Sequence, residues 1–291
     1  MYTFNPGAAQ LATAPGAIEA YPGGDIAVRH LQPVADDLVP VAWNTGGELP
    51  FAAAAQWAAF HRSHGATPVL VMPYLPSARG DHDPTADAQC AARLTAATSI
   101  TNVVAADPHS GVWATHAAKY GTTVHPISAA ELVGASQLAE LEWAGVIAPD
   151  KGAVDRAGTV ARLLKVPLAT AGKMRDPATG RLSGFRAPEG LVAGRYLVVD
   201  DICDGGGTFA GLAQTVAESC PDAELHLWVT HGLFTGRWRE NLTTHFASIT
   251  TTDTTPNQDR RAVPTEVAAH RLLPHVIAAL TEICTAATTK S

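Results

Sequence analysis

Short apolar runs separated by helical patterns are the feature of this sequence that most restricts its fold. Five such runs are bounded by turn residues: TPVLVMPY (67–74), TNVVAADP (101–108), AGVIAPD (144–150), RYLVVDD (195–201) and ELHLWVTHG (224–232). Segments between them, such as 48–65, which ends at Gly65, and 208–221, which closes on a proline, have helical character. Strands that alternate with helices are typical of parallel sheets with crossover helices, so the sequence predicts an α/β fold.

Composition restricts the class of protein further. With 291 residues the chain is long enough for two domains of ordinary size. Its formal net charge of −7 argues against a nucleic-acid-binding surface, which normally carries a basic excess. The first residues lack a basic stretch followed by an apolar one, and no window approaches the roughly 20 apolar residues that span a bilayer. We therefore expect a cytoplasmic protein with no nucleic-acid or membrane partner.

The cysteines are consistent with that compartment. Four of them lie far apart, without a CxxC pair: Cys90, Cys203, Cys220 and Cys284. This spacing indicates neither a zinc site nor a disulfide framework, so we expect reduced thiols.

A glycine-rich loop follows the fourth apolar run, within RYLVVDDICDGGGTFAGLA (195–213). Three glycines without β-carbons let backbone amides close around an oxyanion at the positive end of the helix that follows. The neighbouring acids would repel a phosphate unless they hold ribose hydroxyls or a divalent cation. The loop therefore predicts a sugar-phosphate site. It lacks the lysine of a Walker motif and the GxGxxG spacing of a Rossmann fold, so neither of those nucleotide-binding motifs applies. The candidate binding residues are Asp200, Asp201, Asp204, Gly205, Gly206, Gly207 and Thr208.

The stretch VVDDICDGGGTF (198–209) resembles the phosphoribosyl diphosphate-binding loop of type I phosphoribosyltransferases and of ribose-phosphate diphosphokinases. Further segments are similar to the second family in its own order: YPGGDIAVRH (21–30), YLPSARGDHD (74–83), VVAADPHSGV (103–112), VIAPDKGAVDRA (146–157) and THGLFTG (230–236). The resemblance runs from about residue 20 to the C-terminal helix, so it covers nearly the whole chain.

The resemblance implies a fold and an activity. The fold would be two similar type I phosphoribosyltransferase-like domains, each a mostly parallel sheet flanked by helices. We expect an N-terminal domain over 1–126, on which a helix at 270–291 packs back, and a C-terminal domain over 127–269 that carries the sugar-phosphate loop. The activity would be transfer of the β,γ-diphosphate of ATP to the anomeric hydroxyl of ribose 5-phosphate, with Mg²⁺ as the cofactor.

Three segments carry further structural expectations. A change of composition near 110–135 predicts a linker between the two units. Segment 173–190 has glycines, prolines and cations without apolar periodicity, and predicts a long mobile loop of a functional kind. The segment from Pro274 predicts a docked C-terminal helix with one apolar stripe, formed by Val276, Ile277, Leu280, Ile283 and Cys284.

The resemblance also implies catalytic and metal-binding residues. Lys173 and Arg175, in GKMRD, match the Lys-x-Arg pair of the family's catalytic flexible loop, where they would close over the transferring group. His109 matches the family's metal and ATP-phosphate site, where it would act in catalysis and as a metal ligand. Asp107 and Asp150 match the family's metal-linked aspartates.

The same resemblance implies nucleotide-binding residues. Arg79 and Asp81 match the family's ATP segment, and Tyr21 and Asp25 match its aromatic and acidic adenine contacts. In the family those last two residues come from a neighbouring subunit, so we expect a homo-oligomer.

The chain departs from the family pattern at several of these segments. Gly80 stands where the family usually has Gln, and Gly23 stands where Asn or Asp is usual. Lys151 places a cation beside the expected sugar site.

The glycine-rich loop itself departs most. Gly205 and Gly206 replace a side-chain hydroxyl and some bulk where the family binds the 5-phosphate, so the acceptor is either ribose 5-phosphate or a larger ribose ester such as ADP-ribose. Two other classes remain open at this point: a phosphoribosyltransferase that consumes phosphoribosyl pyrophosphate, and a catalytically silent homologue that assembles with an active enzyme.

Overall fold

The computed structural model describes residues 1–44, 51–81, 87–175, 182–255 and 266–289. The chain forms two compact units: unit 1 comprises Met1–Ile127 and Leu272–Ser291, and unit 2 comprises Ser128–Arg271. Each unit contains a six-stranded sheet. None of the helices in these described ranges has the length and apolarity that a membrane crossing requires.

Unit 1 begins with strands and continues as alternating helices and strands. Its elements are β1 (Tyr2–Asn5), β2 (Gln10–Thr13), β3 (Ala17–Ala20), β4 (Ile26–Arg29), β5 (Val39–Trp43), α1 (Phe51–Ser63), β6 (Val69–Val71), α2 (Asp87–Ala97), β7 (Asn102–Ala106), α3 (Val112–Ala118) and β8 (Thr123–Ile127). The sheet has the order β2-β1-β5-β6-β7-β8, in which β5 to β8 are parallel and β1 and β2 are antiparallel.

The strands β3 and β4 form a separate hairpin that is fastened to α1. Gln56 accepts a hydrogen bond from the amide of Val28 and donates one to the carbonyl of Ile26, each at 3.0 Å. One side chain thus satisfies two main-chain groups of β4, which fixes the hairpin on the helix.

Unit 2 has a sheet in which all strands are parallel. Its elements are α4 (Ala129–Gly134), β9 (Gly145–Ala148), α5 (Val154–Leu164), β10 (Leu168–Thr170), β11 (Gly172–Arg175), β12 (Leu182–Arg186), β13 (Gly194–Cys203), α6 (Gly207–Ser219), β14 (Ala223–Gly232), α7 (Trp238–Leu242), β15 (Ser248–Thr252) and β16 (Val267–His270). The sheet order is β10-β9-β13-β14-β15-β16, and β11 and β12 pair as an antiparallel hairpin beside it.

The chain then returns to unit 1 through α8 (Leu273–Thr288), which contacts β7 and β8. Val276 and Leu280 are fully buried, and Ile283 is half-buried. The stripe read from the sequence is therefore the face that enters the core.

The prediction of an α/β fold with parallel sheets is confirmed. Strands β6 and β9 are buried along their whole length, which explains why they read as continuous apolar runs instead of alternating patterns. In a parallel sheet that helices cover on both faces, neither face is polar, so apolar and polar residues do not alternate along the strands.

The linker predicted near 110–135 is correct in its place between the two units but wrong in its structure. That segment forms α3, β8 and α4, and the two units join between Ile127 and Ser128. β8 lies at the edge of its sheet and is only partly buried, so it tolerates Pro126 and lacks a continuous apolar run. Its polar sequence resembled a connection for that reason.

The long loop predicted over 173–190 is also partly wrong. Its described residues include two paired strands, β11 and β12, with a register irregularity between Met174 and Arg175. Residues 176–181 lie outside the described ranges. Main-chain hydrogen bonds hold such a ladder, and they leave little trace in the order of side chains.

Truncating Leu280 should destabilise unit 1 strongly. Leu280→Ala removes a fully buried side chain and leaves a cavity, so we expect a loss of about 2–5 kcal/mol in the free energy of unfolding. Leu273 on the same helix is 43% exposed and provides a matched control, for which we expect a loss below about 1 kcal/mol. Urea denaturation of both variants measures this, and equal losses would contradict the packing of α8 described above.

Candidate active site

The turn between β13 and α6 forms an amide cradle at the start of a helix. Gly206 caps the helix with a left-handed backbone, at φ 76°. A β-carbon there would also lie 3.0 Å from Cδ2 of Leu242. Both the backbone angle and this close approach require glycine at position 206.

The two flanking glycines have no such requirement. A β-carbon on Gly205 would approach nothing nearer than the carbonyl oxygen of Thr235, at 3.8 Å, and one on Gly207 would meet no atom within 4 Å. Neither residue has a positive φ. These glycines therefore leave open space beside the cradle instead of relieving strain.

The segment after β14 holds the cradle from one side. Asn241 donates a hydrogen bond to the carbonyl of Gly205 at 2.6 Å. The Thr235 hydroxyl donates to Oδ1 of Asp204, and the Thr235 amide donates to the Asp204 carbonyl at 3.1 Å. Because these two carbonyls accept hydrogen bonds from the segment after β14, the loop is held in a fixed shape at the start of α6, where the helix favours an anion.

Two adjacent carboxylates lie at the end of β13 around one buried cation. Arg156 of α5 places Nη1 at 3.7 Å from Oδ1 of Asp200 and Nη2 at 3.5 Å from Oδ2 of Asp201. The side chains of Arg156, Asp200 and Asp201 are 9%, 16% and 4% exposed. A buried guanidinium is therefore shared between two carboxylates.

Burial holds the pKa of Asp200 well above its usual range, and the neighbouring charge of Asp201 raises it further. The Arg156 guanidinium acts in the opposite direction, as does the hydrogen bond from the Asp201 amide to Oδ1 of Asp200, at 2.9 Å. Asp200 thus gains a proton more readily than an exposed aspartate does.

Arg156 was missed by the reasoning from sequence. It lies in the segment VIAPDKGAVDRA (146–157), in which only Asp150 and Lys151 were identified as candidates. An arginine in the first turn of the helix that follows a strand was the available signal, since two adjacent buried acids need a cation.

Two further groups of unit 2, the thiol of Cys203 and the carboxylate of Asp150, also have defined surroundings. Burial, with the charges of Asp200 and Asp204, raises the pKa of the Cys203 thiol to about 12, so it stays protonated. Asp150 accepts hydrogen bonds through Oδ1 from the amides of Gly152, at 2.9 Å, and Ala153, at 3.3 Å. Its carboxylate thereby caps the short 3₁₀ turn at the end of β9.

Unit 1 brings a second group of predicted residues to the ends of neighbouring strands. Asp107 follows β7 and is buried, with φ 34°, and its amide donates to the carbonyl of Ile127 at 2.8 Å. His109 is half-buried two residues later. Arg79, exposed, and Asp81, half-buried, lie in the segment that follows β6, which pairs with β7. Strand ends of a parallel sheet are where ligands bind in α/β folds.

Tyr21 and Asp25 form the turn of the β3–β4 hairpin. The amide of Tyr21 donates to the carbonyl of Asp25 at 2.8 Å, and both residues are exposed. The guanidinium of Arg29 lies 5.9 Å from the Tyr21 ring centre and donates to its hydroxyl. The ring is therefore held in place while 45% of the residue remains exposed.

The remaining predicted residues, Lys173 and Arg175, have backbones in β11, while their side chains lie outside the described part of the structure. Among the described residues, no three His, Cys, Asp or Glu side chains converge as a metal-binding group. The metal ligands named from the sequence stay a prediction.

The fold and the loop define a two-unit α/β protein with phosphoribosyltransferase-like sheets. Among solved structures, phosphoribosylpyrophosphate synthetase from Mycobacterium smegmatis matches with a TM-score of 0.67 and 22% sequence identity, over 93% of this chain and 91% of that chain. At that identity the match shows the shared fold.

Curated relatives carry one name. Ribose-phosphate pyrophosphokinase of Cereibacter sphaeroides is 33% identical over 98 residues, which are 34% of this chain and 29% of that protein. Ribose-phosphate pyrophosphokinase of Sulfurisphaera tokodaii is 31% identical over 124 residues, or 42% of each chain. The comparison with protein-family models gives no match.

These findings confirm the resemblance to the ribose-phosphate diphosphokinase family that the motifs indicated. The aligned part spans 29% and 42% of the length of the two curated relatives named above.

The raised pKa of Asp200 predicts a pH-dependent stability. From about pH 4 up to the folded pKa, the folded state keeps a proton that the unfolded state has lost, so stability falls as the pH rises through this window. Asp200→Asn removes this ionisation, so the variant should gain stability relative to wild type between about pH 5 and about pH 8.

Urea denaturation at both pH values measures the difference. Asp222→Asn, at an exposed position, controls for the exchange of carboxylate for amide. A difference between Asp200→Asn and wild type that is the same at both pH values would contradict the prediction.

Proposed function

We propose that this protein is a ribose-phosphate diphosphokinase-type transferase, which moves the β,γ-diphosphate of ATP to the anomeric hydroxyl of ribose 5-phosphate and releases AMP. The observation that carries the proposal is the amide cradle at the start of α6 with two carboxylates beside it. Cytoplasmic location and homo-oligomeric assembly belong to the same proposal.

In this proposal the sugar site divides its work between amides and acids. The backbone amides of residues 205–208, at the positive end of α6, hold the 5-phosphate, and the Thr208 hydroxyl adds a donor. Asp200 and Asp201 accept hydrogen bonds from the ribose hydroxyls. Arg156 keeps both carboxylates in place when the sugar is absent.

Diphosphoryl transfer asks the protein mainly for positioning and neutralisation of charge. Lys173 and Arg175 are the cations proposed for the transferring group. Arg79 and Asp81, with Tyr21 and Asp25 of a neighbouring subunit, are proposed to bind ATP.

Magnesium is the proposed cofactor, and the donor chemistry fits it. Asp107 and Asp150 offer carboxylate oxygens, the ligands that Mg²⁺ prefers, and His109 stands beside the first of them. Mg²⁺ usually binds through one or two carboxylates together with substrate phosphates. When bound, the ion neutralises charge on the phosphate oxygens.

A larger acceptor is a second candidate, favoured by the space beside Gly205 and Gly207. A ribose ester whose 5-oxygen carries a diphosphate, such as ADP-ribose, needs room where the family has a threonine hydroxyl. Since no steric demand requires these two glycines, they are suited to a bulkier substituent.

The proposed activity predicts release of AMP from ATP and Mg²⁺ when ribose 5-phosphate is supplied. Lys173→Ala should lower kcat by about 100-fold or more, because a charge that stabilises the transferring group is lost while the fold is retained. A coupled AMP assay measures turnover, and circular dichroism checks the fold of the variant. Turnover that requires a free base and phosphoribosyl pyrophosphate instead of ATP would identify a phosphoribosyltransferase.

The choice of acceptor depends on position 205. Gly205→Thr adds a hydroxyl beside the phosphate, and a hydrogen bond to a charged group is worth about 1.5–3 kcal/mol. The KM for ribose 5-phosphate should therefore fall by about tenfold or more, while use of ADP-ribose declines.

Gly205→Val has the same shape as the threonine variant without the hydroxyl, so it is the matched control. Both acceptors are assayed with wild type and the two variants. Wild-type activity on ribose 5-phosphate with none on ADP-ribose would exclude the larger acceptor.

A further inference from the structure

A glycine in the middle of α6 receives the ring of an aromatic residue from β12. A β-carbon on Gly211 would lie 2.7 Å from Cζ of Phe185, and nearer still to Cδ2 and Cε2. The Phe185 ring therefore sits directly on the helix backbone, where any other residue would displace it.

Glycine at this position needs a reason. It is unfavourable in a helix interior compared with alanine, because it loses more conformational freedom on folding. Gly211 lies within α6 and has no positive φ, so the backbone does not require it. The missing side chain at Gly211 leaves the space that the Phe185 ring occupies.

The hairpin that carries Phe185 is fixed at its base. Ala171, just before β11, is buried in the core of unit 2, and its amide donates to the carbonyl of Ala148 at 2.9 Å. Ala187, just after β12, packs against the same core. Phe185 adds a third attachment, made to a different element.

The contact between Phe185 and Gly211 lies close to the amide cradle and, through strand pairing, to Lys173. Gly207 and Gly211 are four residues apart on one face of α6, so the ring sits about 6 Å along the helix from the amide cradle. In the hairpin register, Phe185 pairs with Lys173, the residue proposed to act on the transferring group.

We propose that the contact between Phe185 and Gly211 docks the β11–β12 hairpin on α6 and thereby sets the position of β11 relative to the phosphate cradle. Phe185 and Gly211 are thus positioning residues. The docking itself is independent of the activity, and its effect on turnover rests on the proposed function.

Two readouts test this proposal separately. The first is native-state trypsin cleavage after Lys173 and Arg175, followed by mass spectrometry, which needs no assumption about function. The second is kcat and KM in the AMP assay.

Gly211→Ala places a methyl group in the seat of the Phe185 ring and should release the hairpin. Cleavage in β11 should then accelerate about tenfold, since proteolysis follows the population of the opened form. The kcat should fall about tenfold or more with the KM for the sugar phosphate little changed, because misplacement by about 1 Å can cost about 100-fold in rate.

Gly158→Ala in α5 is the matched control. A β-carbon there would meet its nearest atoms, Arg162 Nη1 and Leu168 Cδ2, at 3.6 Å, which is ordinary contact. This variant should cleave and turn over like wild type. The double variant Gly211→Ala with Phe185→Leu, in which a shorter side chain meets the added methyl, should recover part of both losses.

Each outcome decides the matter. Faster cleavage with unchanged kcat would overturn the positioning role, and lower kcat with unchanged cleavage would overturn the docking. If Gly211→Ala failed to fold by circular dichroism, Phe185→Ala would carry the same two measurements. If wild type released no AMP with any acceptor, the proposed function would fail, and cleavage of Gly211→Ala at the wild-type rate would still overturn the docking contact.

Discussion

The buried guanidinium of Arg156 is the constraint on which the acidic end of β13 depends. Two neighbouring carboxylates in a region of low dielectric repel each other, and burial favours the protonated form, as it does at Asp200. Arg156 reaches both of them from α5, the helix that follows the neighbouring strand β9. A buried ion pair of this kind contributes little net stability against an apolar replacement, so its value is to hold acids where a ligand can use them.

The parallel sheet brings the rest of the site to the same edge. β13 and β14 run side by side for nine paired positions, so the loops after both strands leave the sheet together. The loop after β14 supplies Thr235, and the helix α7 that follows it supplies Asn241, to the loop after β13. A cradle that is rigid before a ligand arrives spends less free energy on ordering when it binds.

The sequence allowed the α/β class, the positions of the main strands and the glycine cradle to be predicted, because each depends on local patterns. The α3–β8 segment was mistaken for a linker, since an edge strand leaves no apolar run. The contacts of Arg156 and Phe185 could not be predicted from local patterns. Each one joins elements that are distant along the chain and that only the fold brings together. Within one GGG run, only Gly206 is demanded by backbone geometry, a distinction that spacing alone does not contain.

The return of α8 to unit 1 has a consequence for synthesis of the chain. Unit 2 is one continuous stretch of 128–271, whereas the core of unit 1 needs Val276 and Leu280, which lie beyond it. A ribosome therefore delivers every strand of unit 2 before it delivers the helix that covers β7 and β8. During that interval the residues of β7 and β8 that α8 covers stay exposed to solvent on the nascent unit 1.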